Sequence, residues 1–284
     1  MELRYRALTA LQAADPADKL QQVGALTSDL ASFDPELPIA GQPGAAQANT
    51  QTPDIGSTDI PEPPGLPGRP ALPLLVAPAD VPLRSPFTLE GRAALVHAIC
   101  HIEFNAIGLA LDAVWRFAGM PCAFYRDWTR VAIEEAQHFA MLRDHLQTLG
   151  HRYGDFPAHD GLWEMCEKTK HDIVARMALV PRTLEARGLD ATPLIQARLR
   201  KVGTPDALQF CALLDIIVRD EIGHVAIGNR WYRWLCARDG LDPLAHNAEL
   251  VQRHSAPRLR PPFNESARRA AGFTADEMRW LLEA

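Results

Sequence analysis

The stretch VAIEEAQHFAML, Val131–Leu142, sets two glutamates side by side with a histidine three residues after the second. Its apolar positions recur at helical spacing. On a helix, residues three apart differ by about 60° in direction and about 4.5 Å in height, so Glu135 and His138 can hold one metal ion. Spacing alone gives Glu134, four before His138, the same opportunity. A solvated helix face carries a single ExxH just as readily, so a metal site needs a second one.

That second motif is VRDEIGHVAIG, Val218–Gly228, where Glu221 stands three residues before His224. Asp220 precedes Glu221 as Glu134 precedes Glu135, and only Glu221 has the matching spacing, which selects Glu135 over Glu134 as the ligand. Each motif follows an isolated glutamate, Glu103 and then Glu185, so the order is E, ExxH, E, ExxH. Glu103 and Glu135 each lie sixteen residues from Gly119, and Glu185 and Glu221 each lie eighteen from Gly203. A turn at each glycine therefore brings both partners to one level. Glu103 sits in ICHIEFNAIGLAL, too apolar for a solvent face, where an uncompensated carboxylate would be costly. Four carboxylates and two imidazoles can neutralise two divalent ions, bridge them and leave positions open for oxygen or substrate. The predicted ligands are Glu103, Glu135, His138, Glu185, Glu221 and His224.

These residues fall in four segments with apolar residues at helical spacing: 88–119, 121–150, 161–188 and 204–240, with glycine or proline at every junction. No run alternates in the manner of a strand, so the fold class is all-α, a helix bundle. Pro181, Gly188 and Pro193 interrupt the surroundings of Glu185, which predicts a kinked or unwound third helix that opens a path to the metal.

Residues 1–33 have a weak helical pattern, whereas 34–85 are dense in proline, glycine and small polar residues and cannot form a regular element. The end of that arm, LPLLVAPADVPL, is apolar enough to lie extended across a neighbouring surface. Beyond Leu241 one short helix is expected near TADEMRWLLEA, with Thr274 and Glu277 at capping-box positions. The expected domains are an N-terminal helix and arm (1–85), a bundle (86–240) and a C-terminal helical extension (241–284).

Charge narrows the function classes. The net charge of −6 concentrates in residues 1–85, whose five basic and ten acidic side chains give −5 and leave −1 for the other 199 residues. A general polyanion-binding surface is not expected. The exception is 251–271, where five arginines face a single acid: a solvated tail, a subunit contact or a clamp for an anion. Five scattered cysteines, none in CxxC spacing, suggest neither a disulfide framework nor a thiolate zinc site. With no apolar run long enough for a membrane span and no signal-peptide core at the N-terminus, the expected location is the cytoplasm.

The E, ExxH, E, ExxH order over roughly 88–240 resembles the ferritin-like superfamily, which includes ribonucleotide reductase small subunits, bacterial multicomponent monooxygenases and tRNA-hydroxylating di-iron enzymes. EGRAALVHAICHIEFNAIGLALDA, YGDFPAHDGLW, ARMALVPRTLEARGLDATP and DEIGHVAIGNRWY look more closely like a bacterial family of uncharacterised ferritin-like proteins with a poorly structured N-terminal arm. The resemblance implies a ferritin-like four-helix bundle with extra terminal helices and two iron ions, or manganese and iron. It makes Glu135 and Glu221 bridging carboxylates, and Glu103 and Glu185 terminal ones. Glu134 and Asp220 match acids that orient a ligand histidine of the opposite motif. His101, two before Glu103, and His97, one turn earlier, are candidates to support the ligands from behind, with satisfied core histidines as the alternative. Tyr125 and Tyr232 lie two to three turns from the ExxH motifs, which disfavours storage of a tyrosyl radical.

The expected activity is that of a di-iron oxidoreductase, a hydroxylase or oxidase acting with O2 on an unidentified small substrate. No flavin or nicotinamide fingerprint is present, so the reductant comes from an external donor. A ferroxidase or iron-handling role, a tRNA-hydroxylase-like role using 251–271, and a bundle in which metal only braces the helices are the alternatives. A homodimer is compatible with all of them.

Overall fold

A computed structural model describes residues 3–32, 56 and 58–283. The chain is all-helical, and among the described residues there is no strand, only an isolated bridge between Leu75 and Ala158. Much of the proline-rich arm, 33–55 and Ser57, lies outside the described residues. The chain divides into two compact units, Met1–Leu83 with Val96–Trp163, and Arg84–Leu95 with Glu164–Ala284.

The first unit holds α1 (Leu3–Gln12), α2 (Pro16–Ala25), α3 (Thr27–Ser32), most of α4 (Leu89–Arg116) and α5 (Cys122–Thr148). The weak pattern of residues 1–33 is thus three short helices. Buried cations close the ends of α1 and α4. Lys19 Nζ donates to Ala10 O and Leu11 O at the end of α1, at 3.0 and 2.9 Å. Arg4 donates twice to Trp115 O near the end of α4, at 3.0 and 2.7 Å, and also to Gly56 O and Thr58 O. Carbonyls left open at a helix C-terminus are natural acceptors for such groups. The turn after α4 passes through Gly119, φ +71°, and Tyr125 secures it by donating to Phe117 O at 2.8 Å.

The described part of the arm wraps as expected. Gly68 N donates to Leu11 O at 2.9 Å, and a Cβ at this position would stand 2.0 Å from Gln12 O, so only glycine fits. Further on, Val76 N and Leu74 O bond the backbone of Ala158, at 2.8 and 3.0 Å. Helix α4 is the one described helix long and apolar enough to cross a membrane, but its apolar window is 72% buried, as in a core helix.

The second unit contains the start of α4, where Thr88 Oγ1 caps Gly91 N at 3.0 Å. It continues with α7 (Ile173–Leu179), a widened π turn (Val180–Glu185), α8 (Ala186–Val202) and α9 (Pro205–Asp239). Short α6 (Gly161–Lys168) runs into it from the first unit. The expected single helix over 161–188 is therefore replaced by α6, α7, the widened turn and the beginning of α8. Asp172 restarts the helix by accepting from Ala175 N at 2.9 Å. Pro181 has no N–H to give and crowds the preceding turn, and the bonds shift outward: Ala186 N reaches Pro181 O, and Thr183 Oγ1 donates to Ala178 O at 2.7 Å.

The other two expected breaks do not occur, since Gly188 and Pro193 lie inside α8. Pro193 frees the carbonyl four residues earlier, Leu189 O, and Asn264 Nδ2 takes it at 3.1 Å. Helix α8 ends at Gly203, φ +70°, the second predicted turn. Gly228 on α9 makes room for the widened turn, as its Cβ would lie 2.6 Å from Pro181 Cβ. Gly228→Ala should therefore destabilise by about 1–3 kcal/mol through overpacking, where an open helix position would gain about 1 kcal/mol. Urea denaturation reads the sign, and a stabilised variant would show that the close approach is not constraining.

The tail forms three helices where one was expected: α10 (Pro243–Arg253), α11 (Glu265–Ala270) and α12 (Ala275–Glu283). Asp242 and Asn264 cap the first two, accepting from Ala245 N and Ala267 N. The predicted capping box on α12 is present: Thr274 N donates to Glu277 Oε2 at 2.7 Å and Glu277 N to Thr274 Oγ1 at 3.2 Å. Ala186, Leu189, Val225, Phe273, Met278 and Leu281 pack α8, α9 and α12 into a shared core. Of the arginines in 251–271, Arg268 is buried and forks onto Asp190, with Nη2 to Oδ2 at 2.6 Å, whereas Arg253, Arg258, Arg260 and Arg269 are exposed.

Candidate metal centre

Helices α4 and α5 run without interruption from the Gly119 turn to Glu103 and Glu135, which is what equal arms require. Glu103, Glu135 and His138 are 3%, 0% and 1% exposed. His138 Nδ1 lies 3.2 Å from Glu135 Oε2 and 3.3 Å from Glu103 Oε2. The three donor atoms lie within 4.8 Å of one another, a Glu/His cluster able to bind a metal ion. Burial first, and then the neighbouring Glu135 charge, push the Glu103 carboxyl well above the usual carboxylate range. Burial works against charge on His138, but hydrogen bonds to Glu103 and Glu135 raise it to about 11. A proton on the imidazole thus stands where a cation would balance the carboxylates.

In the second unit, α9 sets Glu221 and His224 one turn apart, both buried, with His224 Nδ1 3.5 Å from Glu221 Oε1. Glu185 is half-buried at the last position of the widened turn. From there to Gly203 the helix is regular, so the eighteen-residue arm is not altered by the widening. Glu134 and Asp220 are half-buried beside arginines: Arg130 at 3.8 Å from Glu134, and Arg219 at 2.8 Å from Asp220.

His101 is buried, and its Nδ1 pairs with the Tyr153 hydroxyl at 2.8 Å. His97, one turn earlier, accepts from Gly154 N at 2.9 Å. Burial, the leading cause for both, lowers His97 to about 4 and His101 to about 3, so both are neutral. Together they fasten the loop after α5 onto α4. Tyr153 was missed in the sequence because it lies between helices. It packs 5.5 Å from Phe104 and 5.0 Å from Phe139, the residues adjoining Glu103 and His138. The spacing of His97 and His101 on one helix face was the available signal. Tyr125 and Tyr232 donate to backbone carbonyls, of Phe117 and Pro243. Among the cysteines, four are buried free thiols and Cys122 is half-buried.

The sequence, compared with known proteins, has relatives. The sequence pattern of the family described as "Protein of unknown function (DUF455)" matches residues 12–279. An uncharacterised protein of Haemophilus influenzae is 53% identical over 221 residues, which cover 75% of this chain and 76% of that protein. No solved structure matches the chain.

Proposed function

The chain belongs to the DUF455 family of proteins of unknown function, and we propose that it is a ferritin-like di-metal carboxylate protein that uses O2 to oxidise a small organic substrate. The observation supporting this reading is the arrangement of Glu103 and Glu135 against one imidazole in an apolar interior. Buried carboxylates are costly unless a cation shares their site, and oxygen donors with an imidazole suit first-row divalent ions. The residues present fit such an ion.

In this reading Glu103, Glu135 and His138 in the first unit, and Glu185, Glu221 and His224 in the second, would be the metal ligands, with Glu134 and Asp220 supporting the ligand histidines. Bound iron, or manganese with iron, supplies oxygen activation and redox capacity. The protein's own residues hold the donors in place and, through Phe104 and Phe139, keep bulk water from the carboxylates. Electrons come from a separate donor, and the protein works in the cytoplasm on a small molecule.

The test is metal analysis of protein purified without added metal, then anaerobic iron loading and exposure to oxygen. Wild type should retain about two ions per chain, as di-iron bundles do, and show a ligand-to-metal absorption change that Glu135→Ala lacks. Absence of retained metal, with identical spectra for both proteins, would sink the proposal. Ferric iron as the sole product, with the reducing equivalents all accounted for by iron, would move the function to iron handling. Tight, salt-sensitive tRNA binding would move it to nucleic-acid modification.

A further inference from the structure

The second unit holds a partly open cavity of about 280 Å3, and none of its lining residues is among the metal ligands. This is slightly below the ~300–1,000 Å3 typical of sites for drug-sized ligands, so the cavity suits a metabolite-sized molecule. Its walls are apolar, with Val251, Leu259, Phe273 and Trp280 among them. Its polar groups converge at one place, where Arg182, Asn247 and Glu277 are 5%, 4% and 3% exposed. The exposed Arg258 also lines it.

The charge of this lining is unbalanced. Glu277 is the only acid among the lining residues, and it is shared by two guanidiniums: Arg182 at 2.6 Å through Oε1 and Arg233 at 2.7 Å through Oε2. The lining itself carries two guanidiniums, Arg182 and Arg258, against that one carboxylate, an excess of one positive charge. Arg182 donates to Asn229 at 2.9 Å, Asn247 at 2.7 Å and Glu277. Arg182 lines an apolar cavity, a setting in which an anion gains far more from a guanidinium than it would in water.

We propose that this cavity binds a small organic anion with an apolar body, its acid group meeting Arg182 and Arg258 and its body lying against Phe273 and Trp280. The proposal uses residues of the second unit alone and does not depend on the metal reading. It gives the arginine-rich 251–271 segment a specific task, supplied by Arg258.

Octanoate and 3-phenylpropionate are suitable probes, with octylamine and octanol as cationic and neutral counterparts of the first. Binding is read by calorimetry and by Trp280 fluorescence, with Trp280→Phe assigning the signal, on both metal-loaded and chelator-treated protein. At least one anion should bind saturably to both preparations, at least ~10-fold more tightly than octanol, and octylamine should not bind. Arg258→Glu should weaken the anion at least ~10-fold at unchanged melting temperature, because the residue is exposed. Val251→Trp should abolish binding by filling the space. Equal affinity for octanoate and octanol, no saturable binding of either anion at millimolar concentration, or indifference to Arg258→Glu would overturn the proposal. Metal loss in the Glu135→Ala protein would leave all these results unchanged, so the two readings fail separately.

Discussion

Arg182→Met should cost about 3–5 kcal/mol of folding stability, the range for removing one partner of a buried ion pair. Methionine keeps the length and apolar stem, so contact with Tyr232 and Phe273, whose rings lie 5.0 and 5.3 Å from the guanidinium, is largely preserved. What disappears is the charge and three hydrogen bonds. Asn229 and Asn247 keep buried carbonyl oxygens with no donor, at about 1–3 kcal/mol each, while Glu277 retains Arg233 and Thr274. Burial weakens the hold of Arg182 on its proton and Glu277 opposes that effect, so the pair stands or falls together. Urea denaturation at constant m measures the loss, and Arg182→Met with Glu277→Met should cost less than the two single losses summed. A loss below about 1 kcal/mol would mean that the network is not a brace.

Glu103→Gln should separate folding from metal binding. Glutamine retains the size of the side chain and has no carboxyl to ionise beside Glu135, so the chelator-treated variant should be at least as stable as chelator-treated wild type. Wild type should then gain about 2.7 kcal/mol at a metal concentration one hundred times Kd, and the variant should gain little of it. Thermal melts of both proteins with and without ferrous ion under anaerobic conditions give the four values needed. A variant that keeps the full metal-induced shift would remove Glu103 from the ligand set.

Features set by neighbours in sequence were legible. The ExxH spacings, the equal arms about Gly119 and Gly203, and the Thr274–Glu277 capping box all depend on a few residues or on counting along a helix. Features settled by distant partners were not. Pro193 reads as a helix breaker until Asn264, 75 residues beyond Leu189, accepts the task of bonding the freed carbonyl. The widened turn at 180–185 required knowing that Gly228 makes space for Pro181. Tyr153 joined the surroundings of Glu103 and His138 only once its loop was fastened to His97 and His101. Arg182 carries no local signal, because its partners lie 47, 65 and 95 residues downstream.

Those separations also set an order in time. Glu277 is synthesised 95 residues after Arg182, which at 5–20 residues per second is an interval of roughly 5–20 s on the ribosome. Throughout that interval the guanidinium has no carboxylate to enter the core with, and water is the cheaper place for it. Until α12 is made, burying Arg182 among α7 to α9 would leave its charge without the carboxylate that balances it.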